Sequence, residues 1–453
     1  MIASKVSDTS SETSGSTYPH PSKGTRPMRN PLLRPRALVA AGAAAALALT
    51  AAACGDSGES DADITWWHIQ NQDPLMSTWQ EFADDFGADN DVTFDVQPIE
   101  NQAFKDRMGT ASQSGDVPDI FHTWGGGVLA EQVEAGLVQD LTGKLDCIDQ
   151  INPIALEPYT IDGKLYGMPF DAGVVGFWYN MDLFADAGID APPATWDEFL
   201  TDVQLLKDAG IAPIALAGAD QWPGHYYWTY LVMRTVGLDG LEAAAEAGDF
   251  SGEGFVQAGQ MVADLAALEP FQPGFESATY GEADGQSAVM GEGLAAMELM
   301  GQWAPQAQRD NSGTDGPENL GFFPFPTVEG GTGTTTEWLG GGNGYAVAAD
   351  APDEALDFLC YLMEPENYAR AITEGNLTPV AVDTAAVAPD LNADTQKVVD
   401  ALATATGTQL YLDQAYPPAI GGVINEATEG LILGQLTPDD FVSMVNEAWA
   451  AEE

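Results

Sequence analysis

Apolar positions along this chain recur with two alternating periods. ITWWHIQ (64–70), VTFDVQPI (92–99) and PDIFHTW (118–124) are short runs rich in β-branched and aromatic residues, which predict strands. Between the first two, Met76, Trp79, Phe82, Ala83 and Phe86 keep the three- and four-residue spacing of an amphipathic helix. Asp73 and Pro74 stand ahead of it as N-cap and first helical residue. A further helix carries Phe104 and Met108, and another begins at Val128 after Gly125, Gly126 and Gly127. Strand, helix, strand, helix, strand predicts a parallel α/β sheet covered by helices.

The pattern continues through LYGMPFDAGVVGFWYN (165–180), an extended segment, to a capping box at Thr195–Glu198 that heads a helix through Phe199, Val203 and Leu206. IAPIAL (211–216) reads as a strand, and helical spacing recurs at 241–248, 254–268 and 284–293. GFFPFP (321–326) and YAVAAD (345–350) are strands around a Gly-rich loop, and from Pro352 the pattern is mostly helical. No internal repeat or low-complexity linker interrupts it. Two α/β lobes interleaved along the chain fit this order better than consecutive domains.

The first 54 residues follow neither period. Residues 1–27 are polar and rich in Ser, Thr and Pro. From Met28, which can serve as the start, Arg29, Arg34 and Arg36 precede an Ala/Leu run and then small residues up to Cys54. That order is a secretory signal. Small residues before a cysteine resemble a bacterial lipobox, with Ala51 where Leu is usual; cleavage nearby without lipidation is the alternative. Residues 55–62 are a short flexible tether. No later run reaches the ~18 apolar residues of a membrane span.

Composition changes the picture in one respect. Lys and Arg number 15 against 69 Asp and Glu, a formal net charge of −54, and six of the 15 lie in the leader. A chain so acidic repels phosphate backbones and anionic lipid, which excludes nucleic acid as a partner. Its hydrophobic content of 45% is that of a folded protein. Adaptation to a saline exterior and simple solubility both account for the charge. With Cys54 assigned to the lipid, Cys147 and Cys360 remain as a disulfide pair or as free thiols, Cys360 lying in the helical LDFLCYLM.

Catalytic and metal signatures are missing. There is no HExxH, no paired Cys/His spacing for zinc, no GxSxG and no phosphate-binding GK[ST] after a glycine loop. No cofactor is implied. A calcium site or a glycosidase carboxylate pair among so many acids has no local signature and stays open. What recurs is a polar or aromatic residue beside small ones at strand ends: His68, Gln70 and Asn71; Trp124 before three glycines; Asp171; Trp303; Asn343 in GGGNG (340–344). Ligands of open α/β sheets bind outside those strand ends. Aromatic faces there stack on the C–H face of a sugar while amides, acids and imidazoles bond its hydroxyls. For any one Trp, core packing explains it as well.

The stretch DQWPGHYYWTY (220–230) concentrates the ambiguity. Five of its eleven residues are aromatic, and on a helix Trp222, Tyr226 and Tyr230 share a stripe while Tyr227 and Trp228 point elsewhere.

SGDVPDIFHTWGG (114–126), VEAGLVQDLT (133–142), GKLYGMPFDAGVVGFWYN (163–180) with MDLFADAGIDAPPATWDEF after it, GEGLAAMELMGQWAP (291–305) and LGGGNGYAVAADAP (339–352) together resemble the family-1 solute-binding lipoproteins of carbohydrate ABC importers, the relatives of maltose-binding protein. ITWWHIQNQDP and FHTWGGG are most similar to actinobacterial binders of xylobiose and related β-linked oligosaccharides. The resemblance makes LAAMELM (294–300) a strand despite its helix-favouring residues. It implies a two-lobed α/β fold, with residues 63–170 and 346–400 in the N-terminal lobe and 171–345 and 401–453 in the other. Hinge crossings are expected near Met168–Asp171, Gly344–Val347 and 398–410. The lobes would close on a di- or oligosaccharide, without catalysis, and present it to the transmembrane permease of an importer. The protein would be a monomer held by a lipid on Cys54 at the outer face of the membrane. Trp124 and Trp303 match stacking platforms, and Tyr226 and Tyr227 match the aromatic after a strand of the second lobe. Trp222 and Tyr226 are expected to face the cleft, with Trp228 and Tyr230 in the core. His68, Asn71, Asp171 and Asn343 are the polar candidates. Where relatives carry a charge after the cleft Trp, this chain has Gly125–Gly127, so hydroxyl contacts there must come from backbone or from elsewhere. A secreted glycoside hydrolase or lyase is the rival reading, and a peptide, polyol or phosphodiester ligand another; for an anion, Arg107 is the cation to hand.

Overall fold

The computed structural model describes residues 62–375, 377–380 and 390–452, so the leader and Cys54 lie outside the described residues. Strands β1 (Ile64–His68), β2 (Phe94–Pro98) and β3 (Ile120–Thr123) alternate with helices Leu75–Asn90 and Asn101–Ser114 as the periodicity predicts. They pair in parallel, Ile64 opposite Phe94 and Trp66 opposite Ile120. The first helix opens at Leu75 with Pro74 in the cap position, one residue later than expected; Asp73 Oδ1 accepts from the Ser77 amide at 3.2 Å.

After a small hairpin, β4 (Thr160–Ile161) and β5 (Lys164–Leu165), the chain adds β6 (Met168–Pro169), and much later β13 (Gly344–Val347), to the same sheet. The order is β2-β1-β3-β13-β6. Strand β13 runs antiparallel to both β3 and β6, with Tyr345 opposite His122 and Met168. The sheet is therefore mixed and not wholly parallel. Both added strands connect to the other lobe directly, and only a helical crossover within one lobe would impose parallel pairing.

The second lobe is built on β8 (Gly176–Asn180), β9 (Ala212–Ile214), β10 (Ala295–Met300) and β11 (Leu320–Phe323), in the order β11-β8-β10-β9. Residues 295–300 form a strand because they lie between two others, with Met297 opposite both Tyr179 and Ile214 and every one of the six buried. Ladder pairing on both edges outweighs the helix preference of Ala, Met, Glu and Leu. Strands β7 (Gly173–Val174), β12 (Glu337–Gly341) and β14 (Gly407–Leu410) make a third, small sheet, β14-β12-β7.

Each lobe has its own core. Trp66, Trp79, Phe170, Tyr345 and Phe358 pack in the first; Phe177, Trp178, Trp228, Phe325 and Phe441 in the second. Cys147 and Cys360 are disulfide-bonded within the first lobe. The Thr195 capping box forms, Thr195 Oγ1 accepting from the Glu198 amide at 3.3 Å and Glu198 Oε2 from the Thr195 amide at 3.1 Å.

Helix Ala393–Ala403 departs from the expected lobe boundary. Val398 is buried in the second core, and Lys397 Nζ donates to the Leu320 carbonyl at the start of β11, 2.9 Å away. Leu377 and Val380 are still in the first core. Leu391 also still packs against the first core, so the third passage falls between Leu391 and Val398, ahead of the expected 398–410. The apolar face of this helix needed a sheet to cover, and the second lobe supplied it.

Candidate functional site

Between the lobes lies a cleft of about 800 Å³ lined from both sides, within the size range of small-ligand sites. Its second-lobe wall is aromatic. Trp222, at the start of helix Trp222–Thr235, lies 5.7 Å from Tyr226, 5.4 Å from Tyr280 and 6.4 Å from Trp303 between ring centroids. Tyr411 closes the group, 5.7 Å from Tyr226 and 6.3 Å from Trp303. The Trp303 ring lies over Gly301, where any Cβ would meet its six-membered ring. The Trp178 indole N–H donates to the Gly301 carbonyl at 3.0 Å and anchors that turn.

Facing this wall, Trp124 stands just beyond the C-terminal end of β3, its ring edge-on to His122 at 4.5 Å and to Phe104 at 5.9 Å. Lys105 Nζ sits 5.3 Å from the Trp124 ring centre and donates to Asp413 Oδ2 across the cleft at 2.9 Å. Burial alone would push the Asp413 carboxyl up; the Lys105 charge and the hydrogen bonds from Lys105 and Asn425 overcome it and hold it at about 2. A second bridge joins the lobes where Gln72 Nε2 donates to Asn311 Oδ1 at 2.7 Å.

The cleft floor is the pair of chain crossings. Asp171 lies between β6 and β7, and Asn343 between β12 and β13. The Asn343 amide donates to Asp171 Oδ1 at 2.6 Å, and its Nδ2 reaches Oδ1 and Oδ2 at 2.8 and 2.9 Å. Gln302 Nε2 adds a contact to Oδ2 at 3.3 Å. Burial raises the Asp171 carboxyl to about 6 in spite of these donors.

Of the residues expected at the site, Asn71, Trp124, Asp171, Trp222, Tyr226, Trp303 and Asn343 line this cleft. Three do not. His68 is fully buried on β1, packed 4.8 Å from Trp66, and burial pulls its imidazole down to about 3. Gly125 turns with φ of +77° against the Pro158 carbonyl, leaving no room for a Cβ. Tyr227 points into the second core, between Phe177 and Phe271. In the strands the two-residue alternation sends His68 inward while Asn71 clears the edge. On the helix, Tyr227 is turned by about 100° from Tyr226.

Trp228 and Tyr230 are core residues, Trp228 against Phe441 at 4.5 Å and Tyr230 stacked on Phe325 at 4.7 Å. Helix Trp222–Thr235 is buried on every side as far as Arg234, which is how it carries rings all round. Arg107 lies over Trp67 at 3.5 Å and donates to Gln97 Oε1 at 2.7 Å, and does not line the cleft.

Lys105, Tyr280, Tyr411 and Asp413 were absent from the sequence reading. None sits at the end of a strand of the two main sheets; Tyr411 directly follows β14, in the small sheet. Among the described residues no group of three or more His, Cys, Asp or Glu is placed to hold a metal ion. No helix among them is long and apolar enough to cross a membrane.

Residues 70–369 match the family described as bacterial extracellular solute-binding protein. A multiple sugar-binding protein of Streptococcus mutans is 27% identical over 299 residues, 63% of this chain and 68% of the relative. A solved structure from a study of xylan utilization by the thermophile Caldanaerobius polysaccharolyticus is 27% identical and aligns with a TM-score of 0.77, over 85% of this chain and 99% of the other. A chitin oligosaccharide binding protein is 26% identical with a TM-score of 0.79, over 86% and 98%.

Proposed function

The chain belongs to the bacterial extracellular solute-binding proteins, and from that premise we propose that it captures a di- or oligosaccharide between its lobes and delivers it to the permease of an ABC importer. The observation that carries this is the aromatic wall of Trp222, Trp303 and Tyr411 opposite Trp124. Faces on both sides of a cleft suit the two C–H faces of a pyranose ring, and a polar floor suits its hydroxyls. Binding favours the closed arrangement of the lobes, which the permease can tell from the open one.

The ligand in this reading is a β-linked oligosaccharide, with xylobiose the first candidate. Support comes from the xylan-utilization structure, and the chitin oligosaccharide binder makes diacetylchitobiose the next to try. The lobes in this reading are 63–170 with 346–380 and 171–345 with 393–452. Cys54 carries the lipid that holds the monomer at the outer membrane face, with residues 55–62 as tether. No catalysis is assigned.

A tryptophan-fluorescence titration of the protein from residue 55 onward tests this, with xylobiose, xylotriose, cellobiose, maltose, trehalose and diacetylchitobiose as ligands. A saturable change with one of them, and no new products by chromatography after long incubation, is the expected result. Product formation would instead establish a glycoside hydrolase or lyase. A folded protein indifferent to every sugar would overturn the carbohydrate reading.

A further inference from the structure

We propose that segment 411–416 is the closing edge of the second lobe and that Gly126 and Gly127 are the seat on which it closes. This rests on the capture reading above and deepens it.

Three kinds of contact converge on those six residues. Tyr411 puts its ring into the aromatic wall, near Tyr226 and Trp303. Asp413, only 8% exposed at its side chain, takes the Lys105 ammonium from the first lobe. The backbone of 414–416 then lies directly on helix Gly126–Glu134 of the first lobe. A Cβ at 126 would meet the Gln414 carbonyl. One at 127 would fall 2.6 Å from the Tyr416 carbonyl carbon and 2.8 Å from the Ala415 oxygen. Backbone faces backbone, so neither side can yield by turning a rotamer. On its own lobe the segment is fixed just as closely, since a Cβ at Gly421 would fall 2.7 Å from the Asp413 Cα.

The arrangement ties ligand contact to closure through the chain itself. Trp124 is two residues from Gly126, and Tyr411 two residues from Asp413. When the seam forms, the distance between those two rings on opposite walls is set by backbone contact and not by side-chain packing. Gly126 and Gly127 thus serve the space between the lobes, with their backbone against the facing segment and no hydroxyl contact required of them. Lys105, lying 5.3 Å from the Trp124 ring centre, links the same wall to Asp413.

Gly127 offers a clean test, because it is helical and its φ is not positive. Alanine there suits the helix better than glycine, so the lobes should stay folded while the seam cannot close. The measurement is small-angle scattering with and without the sugar that saturates the wild type, alongside its affinity and melting temperature. Gly422→Ala is the control, a helical glycine with nothing within 4 Å of its would-be Cβ. Gly127→Ala should melt no lower than wild type, bind at least tenfold more weakly and contract less on adding sugar, while Gly422→Ala behaves as wild type. Contraction and affinity equal to wild type in Gly127→Ala would overturn the seam and leave the capture function standing. If Gly127→Ala fails to fold, Lys105→Met removes the cross-lobe pair from the exposed side. A smaller contraction would support the seam, and an unchanged one would overturn it. A folded wild type that responds to none of the sugars overturns the capture function and this inference with it.

Discussion

Asp171 and Asn343 are joined by three hydrogen bonds where the chain makes its first and second passages between the lobes. One residue thus supplies most of the donors to a carboxylate that is 4% exposed. The backbones are tied as well, the Phe170 amide donating to the Asn343 carbonyl at 2.8 Å. Two crossing strands locked side by side can twist together but cannot slide apart, which is what a hinge between two rigid lobes requires.

Asn343→Ala should therefore destabilise the protein by on the order of 2 kcal/mol in urea unfolding, because a buried carboxylate loses the two hydrogen bonds from the Asn343 Nδ2 group. The loss should be larger at pH 8 than at pH 5. With its carboxyl raised to about 6, Asp171 is neutral at the lower pH and ionised at the higher.

Trp303→Ala and Trp124→Ala should each weaken sugar binding by on the order of 2 kcal/mol or more, the scale of a central aromatic anchor. Tyr227→Phe should leave binding unchanged, since that ring faces the second core and its hydroxyl has no hydrogen-bond partner among the described residues. Isothermal titration with the saturating sugar separates the two classes. Equal affinity in either tryptophan variant would remove that ring from the site.

Glu298, in the middle of β10, accepts from Gln286 Nε2 at 2.9 Å and Gln308 Nε2 at 2.7 Å. Burial raises it to about 7 against those donors. A carboxyl whose folded value exceeds its unfolded one binds the proton more tightly when folded. Its contribution to stability is then lost as pH rises from about 4.5 to about 7. Glu298→Gln removes that loss. The melting temperature of the variant relative to wild type should rise between pH 5 and pH 8, and a constant difference would refute the assignment.

Reduction of the Cys147–Cys360 bond should lower the melting temperature. It closes a loop between residues 213 apart and packs in the first core, and such crosslinks typically contribute about 2–4 kcal/mol. Cys147→Ser with Cys360→Ser, compared with wild type with and without reductant, checks this. The double variant should match the reduced wild type in direction and be insensitive to reductant.

A chain of net charge −54 should melt higher in 1 M than in 0.05 M sodium chloride. Repulsion among exposed carboxylates is screened within about 3 Å at the higher salt and about 14 Å at the lower. No gain with salt would mean that the acidic surface costs the fold little.

Local periodicity was enough to place β1 to β3 and the helices between them, because an alternating or 3.6-residue pattern is a property of neighbouring residues. It also located Trp124, Asp171, Trp303 and Asn343, each close to a strand end with small residues nearby. It could not orient His68 or Tyr227, whose burial depends on which sheet or helix covers that face. LAAMELM could be read as a strand only through resemblance, since its pairing partners Tyr179 and Ile214 are far away in sequence. The lobe of helix Ala393–Ala403 was likewise decided by what Val398 and Lys397 could pack against. Tyr411, Asp413 and Lys105 come together only because two lobes meet, and the 308 residues separating Lys105 from Asp413 leave no local trace of their ion pair. Composition and pattern along the chain determined the class of fold, the acidic surface and most of the cleft's rings. Which faces of those elements turn toward one another was decided by tertiary packing, because burial and cross-lobe contact are properties of the assembled chain.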